Sequence, residues 1–296
     1  MVFFTDALRN IVLRPYTLFF DVDDVLVDTT QSFPQAVIKA ACRYMEEQNL
    51  KAGEGLLEKA KAIKRCPGFN DDWDTAEALT LFLIQQYGPS SLSLSQFLSE
   101  LKDQDGRQAL QQWIAAQGPD QRDWLGARYE SERVRRLAMA FYGGPSHCQI
   151  LFGFEAFDFV DEGTVTQESL LVDPKRLKRV PVPWFIYTGR SALEMKPVFE
   201  KMNLPKPSHL FCAGSGGPVK PDPAPLIETV NRNNAQGVVL VGDNPDDRET
   251  VGRFRQACPD IPSAFVRVEG GGSPDDSEDS SVENVNQFLD FVLKED

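Results

Sequence analysis

The chain has little that would tie it to a membrane, to nucleic acid or to a soft metal. Over its length no apolar run approaches the ~20 residues of a membrane span. Histidine is scarce: His147 and His209 are the only two, and neither stands at a spacing typical of zinc ligands. The five cysteines, Cys42, Cys66, Cys148, Cys212 and Cys258, are scattered and form no C-x-x-C pair, so they read as free, buried or half-buried thiols. Basic residues are outnumbered, 31 Lys and Arg against 44 Asp and Glu, and the net charge of −13 argues against a nucleic-acid or anionic-membrane surface. A small phosphorylated substrate is still compatible with that charge, because a local cation can dominate one pocket. Residues 1–16 carry Asp6 and Arg9 inside their apolar part and show no small-residue cleavage site, so cytoplasmic residence is the expectation. Internal repeats are also missing.

What is present is the composition of a globular protein, 42% hydrophobic and 25% charged in 296 residues, enough for one large domain or two ordinary ones. Two textures follow one another. From about Gln31 to Gly163 apolar residues recur at three and four, as in "PQAVIKAACRYMEE" and "DWDTAEALTLFLIQQY", with Gly-Pro steps at 88–89, 118–119 and 144–145. Past about Gln167 short apolar runs at 182–188, 209–213, 237–243 and 263–268 alternate with turns and helical segments, which predicts a parallel sheet covered by helices. The stretch 269–281 reads as a mobile acidic loop, and Ser280 with Glu283 as the capping box of a last helix. "FYGG" (141–144) reads as a helix end, with Gly143 or Gly144 just past it.

The most informative stretch is "TLFFDVDDVLVDT" (17–29). Thr17–Phe20 has the β-branched and aromatic content of a buried strand. Side-chain alternation at its end turns Asp21 and Asp23 to the same side. Two like charges held together repel and raise one pKa, unless a cation or a division of roles separates them. The pair therefore calls for a metal ion, or for one nucleophile and one proton carrier. This strand has no partner nearby, so it must join the later sheet. The expected fold is α/β: a Rossmann-like parallel sheet core of residues 1–30 and 167–296, with helices on both faces and an α-helical domain inserted at 31–166.

Ligands of open parallel sheets bind beyond the carboxyl ends of the strands. Those ends carry Asp21 and Asp23, then Thr188, Gly189 and Arg190, then Lys220, then Asp243, Asn244 and Asp247. Carboxylate oxygens suit Mg²⁺, and a hydroxyl with backbone N–H groups suits a phosphate.

In these residues the chain resembles the haloacid dehalogenase (HAD) superfamily. "DVDDV", "IYTGR", "VKPDP" and "GDNPDD" match its four motifs in order, and the insertion falls where type I members carry a helical cap. The resemblance implies a Mg²⁺-dependent phosphatase acting on a small phosphorylated metabolite. Asp21 would be the nucleophile and Asp23 the acid–base. Asp21, the carbonyl of Asp23, Asp243 and Asp247 would serve the metal. Thr188, Gly189, Arg190 and Lys220 would hold the phosphate. Asp24 stands where many relatives have glycine. The presence of Asp23 favours phosphate esters over C–halogen cleavage, since dehalogenases of the superfamily lack it. A phosphomutase and a non-catalytic phospho-ligand binder are the alternatives.

Taken singly, several residues have a second reading. Asp28 and Thr29 suit a cap; Arg190 suits a phosphate or a solvated helix start; Asp247 suits the metal or the order of its own loop. In the inserted block, Lys64, Arg65, Asn70 and Trp73 of "KRCPGFNDDWDTAEAL" could face the substrate. Otherwise they form a helix–turn–helix connection with a buried Trp73.

Overall fold

Hydrophobic strands gather from both ends of the chain into one parallel sheet. The computed structural model describes residues 2–66, 68–69, 71–101, 106–203, 210–213, 217–268 and 280–294. The strands are β1 (Thr17–Phe20), β2 (Val27–Asp28), β3 (Ser169–Leu170), β4 (Trp184–Ser191), β5 (Leu210–Ala213), β6 (Val238–Gly242), β7 (Ser263–Val268) and β8 (Ser280–Val282). The main sheet runs β5-β4-β1-β6-β7-β8, and β2 pairs with β3 in a small antiparallel ribbon. As the orphan apolar run requires, β1 sits in the middle, with Phe20 level with Ile186 of β4 and with Val241 of β6.

Alternation divides the strand residues between two cores. Leu18, Phe20, Ile186, Val239 and Val241 pack with Leu8, Ile11, Val198, Phe288 and Leu289 on one face. Phe19, Phe185, Tyr187 and Leu240 pack with Leu226, Val230, Val251 and Phe254 on the other. Helices thus cover both faces, and each strand of the centre is buried throughout, as a parallel sheet demands.

Contact density separates two compact units, residues 1–28 with 169–296, and residues 29–168. In the second, helices Phe33–Glu47, Leu56–Lys64, Asp72–Gln85, Leu94–Glu100, Gly106–Ala116, Pro119–Gly126 and Ser131–Phe152 enclose an apolar core. Among the described residues no helix is long and apolar enough to cross a membrane.

Two local readings are corrected and a third holds. Ser280 does not open the last helix: it lies in β8, and Asn284 caps the helix Val285–Val292 by accepting the N–H of Gln287. Ser281 likewise belongs to β8 and not to a loop; 269–279 lie outside the described residues. "FYGG" does end a helical segment: Gly144, at φ 60° and ψ −175°, leaves helical geometry and divides the run Ser131–Phe152 in two ahead of Pro145, and a side chain there would fall 2.1 Å from the backbone nitrogen of Gly163. Residues 2–16, for which the sequence offered no account, finish the sheet. Phe3 exchanges backbone hydrogen bonds with Ser281 at 2.8 Å each way, Phe4 stacks on Phe291, and the β8 edge is covered.

Candidate active site

The carboxyl ends of β1, β4 and β6, with the segment after β5, supply every charged group of the site. Asp21 follows β1 directly, its N–H bonded to the Val241 carbonyl at 2.9 Å and its side chain 5% exposed. The Lys220 ammonium lies 2.7 Å from Asp21 Oδ1 and 2.6 Å from Asp247 Oδ1. Asn244 Nδ2 donates to Asp21 Oδ2 at 3.1 Å. Both oxygens of Asp21 are therefore held by groups far away in sequence.

The β6 end is built around a tight reversal. Asn244 caps the helix Pro245–Ala257, accepting the Asp247 N–H at 3.1 Å, while Asp247 accepts the Asn244 N–H in a reciprocal capping box. The fold-back brings the Asp247 carboxylate onto Gly242, where any side chain would lie 2.3 Å from it. Glycine at 242 is thus a packing requirement, and Asp247, fully buried, both orders this loop and joins the charged cluster.

Asp21, Asp243 and Asp247 each offer an oxygen within 4.8 Å of the others. This all-oxygen set fits a hard divalent cation such as Mg²⁺ and no soft one. The electrostatics point the same way. Burial pushes the Asp21 carboxyl well above its ordinary range; Lys220 opposes this, and Asp247, Asp243 and Asp23 add to it. Burial, then Asp247 and Asp24, raise Asp243 from 3.8 to about 7. For Lys220, burial disfavours the ammonium, yet Asp21 and Asp247 outweigh it and hold its pKa above the usual value. One lysine does not neutralise this many carboxylates, and a bound divalent cation would relieve the remainder.

Beyond the cluster, β4 continues through Thr188 to Ser191 with a register irregularity against β5. Thr188 is buried and its Oγ1 accepts the Arg190 N–H at 3.2 Å; Gly189 is exposed. Arg190 is not a solvated helix start. It is 3% exposed, and its Nε and Nη2 lie 2.8 Å and 2.7 Å from Asp23 Oδ1. Asp24 takes φ 55°, the left-handed conformation for which glycine is suited, and its N–H closes a turn onto the Val27 carbonyl at 2.7 Å. Aspartate is among the few side chains that tolerate this conformation, which explains the departure from glycine.

Two residues escaped the sequence reading. Asn244 was noted at the strand end without a role, although its N-cap position ahead of Asp247 is a readable signal. Tyr187 donates to the Asp222 carbonyl at 3.0 Å and sets its ring 5.7 Å from the Lys220 ammonium, fixing the lysine segment.

In the inserted unit, Trp73 is buried against Phe33, Tyr142 and Phe152, so its ring belongs to that unit's core. Lys64 is exposed and pairs with Asp72 at 2.7 Å, and Arg65 is exposed. Asn70 lies outside the described residues.

No family model matches the chain, and no curated protein does. Solved structures do. Phosphatase Tt82 from Thermococcus thioreducens superposes with TM-score 0.69 at 23% identity, over 94% of this chain and 99% of that one. A candidate phosphoglycolate phosphatase from Lactobacillus delbrueckii subsp. bulgaricus gives TM-score 0.55 at 15% identity, over 95% and 99%. The chain has the haloacid dehalogenase fold. In this HAD fold, Asp21, Thr188 and Asp243 lie at the ends of β1, β4 and β6, and Lys220 in the segment after β5.

Proposed function

We propose that the chain is a Mg²⁺-dependent phosphatase that hydrolyses a small phosphorylated metabolite through an aspartyl phosphate on Asp21. The observation that carries this reading is the state of Asp21: a buried carboxylate gripped by Lys220 and Asn244, beside two further carboxylates with oxygens in cation-binding range. The phosphatases among the similar structures add support at the level of fold alone.

The residues divide the work as follows. Asp21 attacks phosphorus in line, forming the Oδ–P bond as the P–O bond to the leaving group breaks. Asp23, on the same side two residues on, gives its proton to the departing oxygen. Water then attacks the phosphorus of the aspartyl phosphate, Asp23 takes the water proton, and the Oδ–P bond breaks to release phosphate. Lys220 faces Asp21 throughout, neutralising charge as it moves between carboxylate and phosphoryl oxygens. Thr188 and the N–H groups after it would hold those oxygens. Asp21, Asp243 and Asp247, with the Asp23 carbonyl, would hold Mg²⁺, which supplies Lewis-acid stabilisation of the transferring group.

The test is turnover of p-nitrophenyl phosphate. Activity should require Mg²⁺, disappear in EDTA and be abolished in Asp21→Asn. Turnover that survives Asp21→Asn would remove the nucleophile from the scheme.

A further inference from the structure

Among the described residues, Arg190 is the buried cation at the β1–β4 strand ends whose side chain the proposed reaction does not yet use. Its side chain is 1% exposed, whereas that of its partner Asp23 is 36% exposed, so the arginine is fixed and the carboxylate stands at the solvent side. Its contacts with Asp23, from Nε and from Nη2, go to the same oxygen, Oδ1. A guanidinium facing a carboxylate is able to bind both oxygens, one from each arm of its fork. Here the fork closes on one. The base of the arginine is held as well. Its N–H bonds to Thr188 Oγ1, and the next residues are locked by reciprocal bonds, Ser191 N–H to Glu194 Oε2 at 2.8 Å and Glu194 N–H to Ser191 Oγ at 3.3 Å.

We infer that Arg190 is a positioning residue for Asp23: it anchors Oδ1 and thereby presents Oδ2 to the leaving-group oxygen. The inference rests on the phosphatase reading. With Oδ1 accepting two N–H bonds, Oδ2 is the oxygen placed to exchange a proton with the substrate. In the proposed reaction the proton passes from Oδ2 to the bridging oxygen as the P–O bond breaks, and the Asp23 carboxylate left behind keeps its arginine partner. Arg190 touches neither phosphorus nor leaving group in this scheme; it acts through Asp23.

A buried ion pair that only stabilised the fold would lower turnover of every substrate alike. A positioning role makes a different demand, because assistance to the leaving group matters most when that group departs poorly. The experiment is a series of substituted phenyl phosphates, from p-nitrophenyl to p-methoxyphenyl, with Mg²⁺, on wild type, Arg190→Met, Arg190→Lys, Asp23→Asn and Asp23→Asn/Arg190→Met. Thermal melts accompany each variant, and Arg190→Lys, which keeps the buried charge, serves if the methionine variant fails to fold. Expected is a selective loss in the arginine variants, on the order of 10²-fold more for the poorest leaving group than for p-nitrophenyl phosphate. The dependence on leaving-group basicity steepens, and Arg190→Met adds nothing further once Asp23 is asparagine. Parallel losses across the series, or an undiminished Arg190→Met effect in the Asp23→Asn background, would overturn the inference while leaving the phosphatase intact. A wild type inactive on the whole series would instead remove the reaction, and the role with it.

Discussion

Stability as a function of pH and Mg²⁺ gives the sharpest physical test of the carboxylate cluster. Asp243 is raised from 3.8 to about 7, mainly by burial and then by Asp247 and Asp24. A carboxyl whose folded-state pKa exceeds its unfolded value favours the folded state below the unfolded pKa. That contribution is lost as pH rises through the folded pKa. Without cation, stability should therefore fall between about pH 4 and about pH 7. Each pKa unit is worth about 1.4 kcal/mol, and Asp243 keeps some solvent contact, so the loss comes to about 2–4 kcal/mol. Asp21 shifts in the same direction for the same first cause, and so do Glu77 and Glu194, which reinforces the sign. Divalent cation binds the ionised carboxylates of the folded state and should restore what deprotonation removes, by about 2.7 kcal/mol at a hundredfold excess over Kd. The assay is a thermal melt with and without Mg²⁺ at about pH 8 and about pH 5.5. The Mg²⁺-induced rise in Tm should be large at the higher pH and small at the lower. Asp243→Asn should melt higher than wild type in EDTA at the higher pH and lose most of the Mg²⁺ response. An equal Mg²⁺ shift at both pH values, or a metal-free Tm that climbs with pH over this window, would refute the reasoning.

Two substitutions probe other parts of the account. Asp24→Gly removes a side chain from a left-handed backbone position and a negative charge that acts on Asp243, so it should stabilise the metal-free protein by about 1 kcal/mol, read as a small rise in Tm; a fall in Tm would show that the carboxylate makes a stabilising contact. Trp73→Ala empties a buried aromatic cluster and should cost about 3–5 kcal/mol in denaturant unfolding of the inserted unit. A variant with unchanged stability would return Trp73 to the candidate substrate contacts.

The sheet was legible because its central strands are apolar runs, and the site because parallel strands bring their carboxyl ends to one edge. Asp21, Lys220, Asp243 and Asp247 could be gathered from that rule and from the order of the motifs. The missed features depend on contacts that no local pattern records. Arg190 meets Asp23 across 167 residues. β8 is the three-residue "SSV", whose two serines mimic a helix cap; only pairing with β7 and with Phe3 makes it a strand. Gly143-Gly144-Pro145 carries every local sign of a helix end and is one; what the sequence does not record is that the backbone of Gly163 packs against it. Asp24 looked anomalous because the turn's left-handed φ is a backbone property that the side chain only permits.

The claim at the centre is that Asp21 carries the phosphoryl group. Asp23→Asn should still accept it from p-nitrophenyl phosphate, whose leaving group needs little proton assistance, and then hydrolyse the intermediate slowly. Acid quench during turnover with Mg²⁺, borohydride reduction and peptide mass mapping should then find homoserine at position 21. Turnover accompanied by phosphorylation of a different residue, or by an Asp21 that stays unmodified while the variant accumulates phosphoenzyme, would contradict the account.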